Sequence, residues 1–392
     1  MTEAHPLKKI LFSFLMIIVA TKSYGQEVDL TFLKFKVEEA HEWTNLFKRN
    51  DGWFGGDGIY SIPLNGVEKN GSSSVKTLFI FSDSMVEKPG DGKIGDSKMI
   101  HNATAVLSGR KPLEKNMTFY WNTREAGSHV FVPKTPNTKP GDYYWLGDGF
   151  VNQELDNSIF IFGYRIKQVG NGAFGFSEVG NTMIKIANDQ ASRIVKYEQK
   201  DTPFHFVSGG EAGSYGAGIY VNTAKGGAKD PDGYIYIYGV KGQAKKLLVA
   251  RVLPKDFENF DRWRFWNGNT WSAGMGDAAV LTDRVSNELS VSQLPDGRYA
   301  LIFQESGIGQ HIGLRLGKSP IGPFGPVIRI WDCKPVLTEK GYFTYNAKAH
   351  PSLSAKGELL ISYNVNSFDF MKDLGKDQQF YRPRFIRLLL ED

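Results

Sequence analysis

The stretch Gly56-Asp57-Gly58-Ile59-Tyr60-Ser61, followed after a turn by Leu78-Phe79-Ile80-Phe81, sets the pattern for the whole chain. A turn rich in glycine or aromatic residues opens a short strand pattern, and an apolar run follows it. The pattern recurs with the opening residues Asp57, Asp148, Ala217, Glu288 and His350. Self-similarity of this kind is typical of a repeat architecture, and short, regularly spaced strands favour propeller blades.

The repeats predict an all-β fold, a five-bladed β-propeller with about four antiparallel strands in each blade. The chain has 392 residues, of which 41% are hydrophobic and 13% aromatic, which suffices for one large core. Aromatic-rich strands separated by glycine turns favour β structure over helix. A β-sandwich with accidental internal similarity is the alternative, but it does not explain why all the openings share one register. We predict a single domain over residues 26–392.

The N-terminal segment has the layout of a secretory signal peptide. Lys8 and Lys9 form a charged region, residues 10–20 form an unbroken apolar run, and Ser23-Tyr24-Gly25 offers a cleavage site with small residues. We therefore predict that residues 1–25 are removed and that the protein is secreted or periplasmic. The apolar run is too short for a stable membrane span. The alternative is an N-terminal helix that packs in the core.

Charge and cysteine content narrow the class of protein further. The formal net charge of +5 is small and spread along the chain, so we expect no nucleic-acid partner. Cys333 is the only cysteine, which rules out an internal disulfide, and its apolar neighbours favour a packed core position. We expect the protein to be a monomer.

In a propeller, the opening position of each repeat carries most of the chemistry. The first strand of each blade lies innermost, so the openings form an inner ring at the mouth of the central channel. The second strand runs antiparallel and returns to the same face, which adds a second ring. That second ring is Asp83, Tyr164, Val240, Glu305 and Asn364. Carboxylates fill half of the positions in the two rings, in a protein with a net positive charge.

Clustered carboxylates raise one another's pKa, so some of them stay protonated near neutral pH. Acid–base cleavage of a glycosidic bond needs such a set, because one carboxylic acid protonates the leaving oxygen while a carboxylate acts as base or nucleophile. We predict Asp57, Asp83, Asp148 and Glu288 as catalytic residues. Alternatively, some of them cap strand ends, or they bind a divalent metal such as a structural calcium on the propeller axis. No cofactor is expected to be required.

The candidate substrate-binding residues surround these carboxylates. Aromatic side chains precede several openings, namely Trp53, Trp145, Tyr215 and Tyr345. Their flat faces can stack on the C–H faces of sugars, although packing between blades explains them equally well. The remaining candidates are polar, namely Glu305, Arg315, His350 and Asn364. A structural role is an alternative for His350, which also suits a metal, and for Arg315, which we expect to pair within its blade.

Residues 56–64 (Gly-Asp-Gly-Ile-Tyr-Ser-Ile-Pro-Leu) and residues 78–84 resemble the opening of the secreted endo-D-arabinanase-like family of five-bladed propellers, long catalogued as domains of unknown function. Residues 313–323 and 345–366 resemble its later blades. The resemblance implies a secreted glycoside hydrolase of the five-bladed propeller superfamily. It also singles out the pair Asp57 and Asp83.

More distantly, the Asp, Asp, Glu order of the inner ring is similar to that of the propeller arabinanases, xylosidases and fructan hydrolases. Carried over, this likeness implies that Asp57 is the base or nucleophile, Asp148 a modulator of pKa and Glu288 the general acid. The two resemblances therefore assign different partners to Asp57, and both assignments stay open at this point.

Taken together, the sequence predicts an arabinanase- or furanosidase-like glycosidase that acts on a furanose- or pentose-containing glycan. One alternative is a glycoside phosphorylase on the same scaffold, which needs a cationic phosphate pocket; Lys348 and Arg315 are the residues that could supply one. The other is a non-catalytic glycan-binding propeller of a polysaccharide utilisation system. In all three cases the expected partner is a glycan.

Overall fold

The computed structural model of the protein describes residues 1–2, 28–69, 71, 76–86, 97–122, 129–170 and 174–391. The predicted signal peptide, except for its first two residues, lies outside the described residues. Within the described residues, none of the helices has the length and apolar character needed to cross a membrane.

The described chain is predominantly β structure, arranged in six antiparallel sheets. We number five larger sheets by chain order and call the three-stranded one the small sheet. Sheet 1 contains β3 (Tyr60–Pro63), β4 (Lys76–Phe81), β7 (Ala103–Ser108) and β8 (Met117–Tyr120). Sheet 2 contains β9 (Tyr143–Asn152), β10 (Ser158–Gln168), β11 (Phe176–Ile186) and β12 (Glu198–Thr202). The all-β prediction is confirmed.

The remaining sheets follow the same up-and-down order. Sheet 3 contains β13 (His205–Ser208), β14 (Glu211–Asn222), β15 (Tyr234–Lys241), β16 (Lys246–Val252), β17 (Arg264–Trp266) and β18 (Trp271–Ser272). Sheet 4 contains β19 (Leu289–Gln293), β20 (Tyr299–Gln304), β22 (His311–Gly317) and β23 (Ile328–Asp332). Sheet 5 contains β21 (Ile308–Gly309), β24 (Tyr342–Ala349), β25 (Glu358–Ser367), β26 (Pro383–Leu390) and, from the other end of the chain, β1 (Phe35–Glu39). Two short helices, α1 (His41–Leu46) and α2 (Phe370–Lys376), lie outside the sheets.

The five larger sheets are arranged as a ring. Strand β9 contacts β3 and β14, β19 contacts β14 and β24, and β3 contacts the turn that follows β24. Hydrogen bonds join neighbouring members: Ser61 Oγ lies 2.8 Å from His350 Nδ1, and the Ala349 N–H donates to Ser290 Oγ at 2.8 Å. Asp148 and Ala217 lie on the innermost strands of sheets 2 and 3, Glu288 and His350 lie directly next to those of sheets 4 and 5, and Asp57 lies between β2 of the small sheet and β3 of sheet 1. This placement brings the openings together around the channel.

The small sheet is the feature that the predicted set of five did not include. It contains β2 (Trp53–Gly56), β5 (Ser84–Val86) and β6 (Lys98–Ile100), and it continues the β3–β4 hairpin beyond Asp57 and Asp83. The ladder is interrupted there because Gly58 adopts a left-handed φ of 62°, which turns the chain out of the strand. The interruption leaves both carboxylates between two sheets.

Apolar side chains fill the spaces between neighbouring sheets. One buried cluster extends from sheet 4 to sheet 5 and includes Cys333, which is completely buried. Burial also raises the pKa of the Cys333 thiol to about 12. The predicted core position of this cysteine is confirmed.

Candidate active site

Asp57 and Asp83 face each other at the mouth of the channel. The Asp57 N–H donates to Asp83 O at 3.1 Å, and the Ser82 N–H donates to Asp57 O at 2.9 Å. These bonds place Ser82 and Asp83 together opposite Asp57. Burial and the Asp83 carboxylate raise the pKa of Asp57 to about 8, with a further contribution from Glu288. Both effects favour the protonated form of Asp57.

Tyrosine hydroxyls hold the Asp57 carboxyl group and the Asp83 backbone in place. The Tyr345 hydroxyl donates to Asp57 Oδ2 at 2.6 Å, and Asn366 Nδ2 donates to the same hydroxyl at 3.1 Å. The Tyr381 hydroxyl donates to the carbonyl oxygen of Asp83 at 3.0 Å. Because Tyr345 bonds the ionised form of Asp57, it works against the upward shift of that pKa.

Asp83 makes a second contact that the sequence did not reveal. Nδ1 of His101 lies 2.9 Å from Asp83 Oδ1. The His101 ring stacks on Tyr143 with centroids 3.7 Å apart and on His129 at 4.9 Å. His129 Nδ1 accepts from the His101 N–H at 3.0 Å, and burial together with His101 lowers the pKa of His129 to about 4. The His101 ring next to Asp83 is thus held by contacts with Tyr143 and His129.

Asp148 lies deeper, in a bulge of strand β9. Its Oδ1 accepts from the Gly149 N–H at 2.8 Å, and its Oδ2 accepts from the Ile219 N–H of sheet 3 at 2.7 Å. Burial raises the pKa of Asp148 to about 7, against the effect of these bonds and of Lys348. Asp148 therefore links two sheets as well as adding negative charge to the channel.

Glu288 is buried and paired. Lys348 Nζ lies 2.5 Å from Glu288 Oε2, and the same ammonium donates to Asn346 O at 2.9 Å and sits 4.6 Å from the ring centroid of Tyr60. Burial raises the pKa of Glu288, while Lys348 lowers it. Lys348 thereby neutralises one of the channel carboxylates.

The predicted second ring is offset by one residue in sheet 4. Leu289 pairs with Phe303, so Gln304 rather than Glu305 lies opposite Glu288. Glu305 instead forms ion pairs with Arg329 at 2.8 Å and Arg284 at 3.7 Å. The structure therefore does not bring Glu305 to the carboxylate cluster.

His350 is buried between sheets 1 and 5, and Asn364 is buried between sheet 5 and the small sheet. The two ring nitrogens of His350 each lie 2.8 Å from a serine hydroxyl, Nδ1 from Ser61 and Nε2 from Ser362. Burial lowers the pKa of His350 to about 3, so this histidine is neutral. Asn364 Nδ2 donates to Gly56 O at 3.1 Å. The structure gives both residues contacts within the protein, with His350 deeper than the mouth.

Two of the four predicted aromatic rim residues lie in the core. Trp53 is 1% exposed and packs on Phe81 and Phe119 with centroids 4.9 and 4.7 Å apart. Tyr215 is completely buried against rings of sheet 3. They lie inside because the strands begin earlier than the sequence pattern indicates. Trp145 and Tyr345 are half-buried at the mouth.

Arg315 lies away from the carboxylates. Its Nη1 donates to Gly325 O at 2.8 Å, and its Nη2 donates to Asp283 O at 3.3 Å. Both partners are loop carbonyl groups, so the guanidinium closes loops beside sheet 4. The alternative that the sequence favoured, a structural pairing, fits this position.

A cavity of about 240 Å³ continues down the channel from Asp148 and Lys348. At its far end it reaches the hairpin turns between inner strands, and Asp57 and Asp83 do not line it. Glu68 lines its wall, and burial raises the pKa of Glu68 well above its usual range, as does Asp148. Among the described residues, no group of three or more His, Cys, Asp or Glu side chains is arranged to hold a metal ion.

Comparison with solved structures finds several that are similar to this chain. A protein of suggested hydrolase activity from Bacteroides ovatus ATCC 8483 has a TM-score of 0.68 at 19% identity, covering 92% of this chain and 92% of its own. An α-L-arabinofuranosidase from Clostridium thermocellum ATCC 27405 has a TM-score of 0.47 at 12% identity, covering 85% of this chain and 90% of its own. A GH62 hydrolase in complex with xylotriose has a TM-score of 0.43 at 9% identity, covering 88% of this chain and 99% of its own. The first likeness shows a common fold.

Comparison by sequence identifies a family whose model covers nearly the whole described chain. No curated protein matches it. A family model described as a domain of unknown function matches residues 40–389, which include every residue of the carboxylate cluster. The chain therefore belongs to the family described as "Domain of unknown function (DUF5005)".

Proposed function

We propose that this protein is a glycoside hydrolase whose catalytic pair is Asp57 and Asp83. In this proposal Asp57 is the general acid, and Asp83, oriented by His101, is the base or nucleophile. The opposed carboxyl groups at the mouth of the channel carry the proposal. Their surroundings differ, since burial and the neighbouring charge favour the protonated form of Asp57. Two carboxyl groups with such different surroundings can divide the acid and base roles between them.

Asp148 and Glu288 have supporting roles in this mechanism. Each is fixed by the protein itself, Asp148 by two backbone N–H groups and Glu288 by the Lys348 ammonium. A general acid must release its proton to the leaving group, and an ion-paired carboxylate is poorly suited to carry one. The negative charge of Glu288 contributes to the raised pKa of Asp57.

We further propose that the scaffold is a five-bladed propeller, in which the small sheet is an extension of the first blade. The ring of contacts among the larger sheets supports this count. The proposed substrate is a furanose- or pentose-containing glycan met outside the cytoplasm. Its support is the resemblance of residues 56–64 and 78–84 to the arabinanase-like propellers. A phosphorylase is less consistent with the site, because Lys348 pairs with Glu288 and Arg315 bonds loop carbonyl groups.

Hydrolysis can be tested with the purified protein on arabinan, galactofuranan and pentose oligosaccharides, with released sugars identified by chromatography. We expect Asp57→Asn and Asp83→Asn to lower turnover by about 100-fold or more, while binding to the same polysaccharide is retained. Asp189→Asn, on an exposed turn of sheet 2, is the matched control and should keep wild-type turnover.

The outcomes separate the competing roles. If Glu288→Gln abolishes turnover while Asp83→Asn retains it, Glu288 is the acid and the assignment of the pair is wrong. If the wild-type protein binds glycan but releases no sugar, it is a binding protein. Release of a sugar phosphate only when inorganic phosphate is present would identify a phosphorylase.

A further inference from the structure

A row of aromatic side chains crosses the mouth of the channel; the sequence analysis singled out only Trp145 among them, and the proposed catalytic pair does not use them. It begins on sheet 2, where Trp145 and Phe176 meet edge to face with centroids 4.4 Å apart. It continues through Phe174 to Phe368, which directly follows β25, and to Phe343 of β24, with centroids 5.8 and 6.4 Å from that of Phe174. We call these five residues the aromatic arch.

Both ends of the arch reach the catalytic pair. At one end, Phe343 lies 5.5 Å from the ring of Tyr345, whose hydroxyl holds Asp57. At the other, Trp145 lies 6.1 Å from Tyr143, which stacks on His101, the partner of Asp83. Sheets 2 and 5 are both neighbours of sheet 1, so the arch passes over the end of the hairpin that carries both carboxylates. A ligand at the pair therefore lies next to these rings.

The arch leaves its central rings open to solvent. Phe174 is 54% exposed and Phe368 is 55% exposed, whereas most large apolar residues of this protein are buried. A phenylalanine gains stability from burial, so two half-exposed rings in contact with each other indicate that something covers them. The two rings belong to non-neighbouring sheets, so their contact also fixes the width of the mouth.

From this arrangement we propose that the aromatic arch is a glycan-binding subsite, on which sugar rings beyond the cleaved bond stack by their C–H faces. The negative face of an aromatic ring attracts the weakly positive C–H groups of a sugar. The exposed area of two rings is far below the roughly 800 Å² per partner of a stable protein interface, which favours a small, ring-shaped ligand. This inference rests on the proposed glycosidase function and adds a requirement for chain length.

The test compares long and short substrates. Phe174→Ala, Phe368→Ala and the double variant are assayed on arabinan and galactofuranan and on the disaccharide of each. We expect the double variant to raise KM for the cleaved polymer at least tenfold, with kcat within twofold and with no change on the disaccharide. Val207→Ala, which removes another exposed apolar side chain from β13, is the control. Phe174→Tyr keeps a ring and should restore the wild-type KM.

Affinity electrophoresis in gels containing the same polysaccharides gives a readout without turnover. If the wild-type protein releases no sugar but is retarded, and the double variant is not, the catalytic proposal fails while the arch proposal stands. Equal loss on polymer and disaccharide, unchanged retardation, or a change in oligomeric state on gel filtration would each overturn the arch proposal. Thermal unfolding of each variant shows whether it is folded.

Discussion

Asp57 and Asp83 carry the same functional group at opposed positions, yet their partners differ. Asp57 accepts from a tyrosine hydroxyl, whereas Asp83 contacts a histidine ring. The local contacts rather than the residue type thus separate their roles. The sequence could place both at one mouth, because strand alternation and hairpin pairing fix neighbours. It could not identify His101 as the partner, since that contact depends on how the small sheet folds over.

The raised pKa of Asp57 makes the stability of the protein depend on pH. A carboxyl group whose pKa is about 8 when folded and 3.8 as a model compound contributes stability that is fully present below pH 3.8. That contribution is lost as the pH rises towards 8, because the unfolded chain then gives up its proton more readily. Asp57→Asn removes this loss. We expect the variant to gain about 4 kcal/mol relative to the wild type between pH 5 and pH 8, because nearly three pH units contribute about 1.4 kcal/mol each.

Urea unfolding at the two pH values measures this difference. Asp189→Asn, exposed and remote from the channel, controls for the substitution itself. A wild-type free energy of unfolding that stays level or rises over this range, with no gain in Asp57→Asn, would show that Asp57 is ionised in the folded protein at pH 5.

At the scale of strands, irregular pairing decides which side chains meet in the channel. The innermost strand pairs of sheets 2, 3 and 5 each shift register, at Ile161/Gly163, Tyr215/Gly218 and Tyr345/Lys348. A bulge adds a residue on one strand and re-aims the side chains beside it. These shifts explain why counting along the sequence placed His350 at the mouth, although it lies below the bulge after Tyr345.

The same reasoning separates what the sequence could predict from what it could not. Alternation along a regular hairpin placed Asp57 opposite Asp83, because no register shift interrupts β3 and β4. The sequence prediction misplaced Glu305, because the pairing of β19 with β20 is shifted by one residue from the register that the apolar pattern indicates. Trp53 and Tyr215 could not be assigned to rim or core, since both surfaces accept an aromatic ring.

Gly58 tests how closely the hairpin is built around the pair. A Cβ at this position would lie 2.6 Å from Ser82 Oγ, and its φ of +62° is unfavourable for any other residue. Ser82 Oγ in turn accepts from the Leu146 N–H of sheet 2 at 2.9 Å. We expect Gly58→Ala to lower the free energy of unfolding by about 3 kcal/mol, from backbone strain plus the clash, measured by urea unfolding.

The matched control is Gly233→Ala in the hairpin turn of sheet 3. It has a similar positive φ of 86°, but no atom lies within 4 Å of the new Cβ. Strain alone should cost about 1 kcal/mol there. If the two variants lose equal stability, the contact with Ser82 does not constrain the site.

At the scale of the whole molecule, the ring is closed by pairing the two ends of the described chain. Strand β1 pairs antiparallel with β26, from Phe35 opposite Leu390 to Glu39 opposite Ile386. The pairing covers the edge of β26 and buries Leu33. An open edge would expose unpaired N–H and C=O groups, which promote aggregation.

A chain that begins at residue 40 therefore lacks the closing strand, and a chain that begins at residue 28 retains it. We expect the shorter chain to lose about 3–5 kcal/mol of stability, from the apolar surface that β1 covers, and to aggregate on heating. Thermal unfolding with light scattering measures both. Equal melting temperatures for the two chains would show that the ring is stable without this pairing.

The closure by β1 and β26 also affects when the protein can finish folding. Contacts between residues far apart in sequence form slowly, because a long loop must be ordered before any of them is gained. The ring cannot close until residues 383–390 have left the ribosome. At every earlier stage of synthesis, sheet 5 lacks β26 and the ring stays open. Until that strand is available, the incomplete chain stays accessible to chaperones.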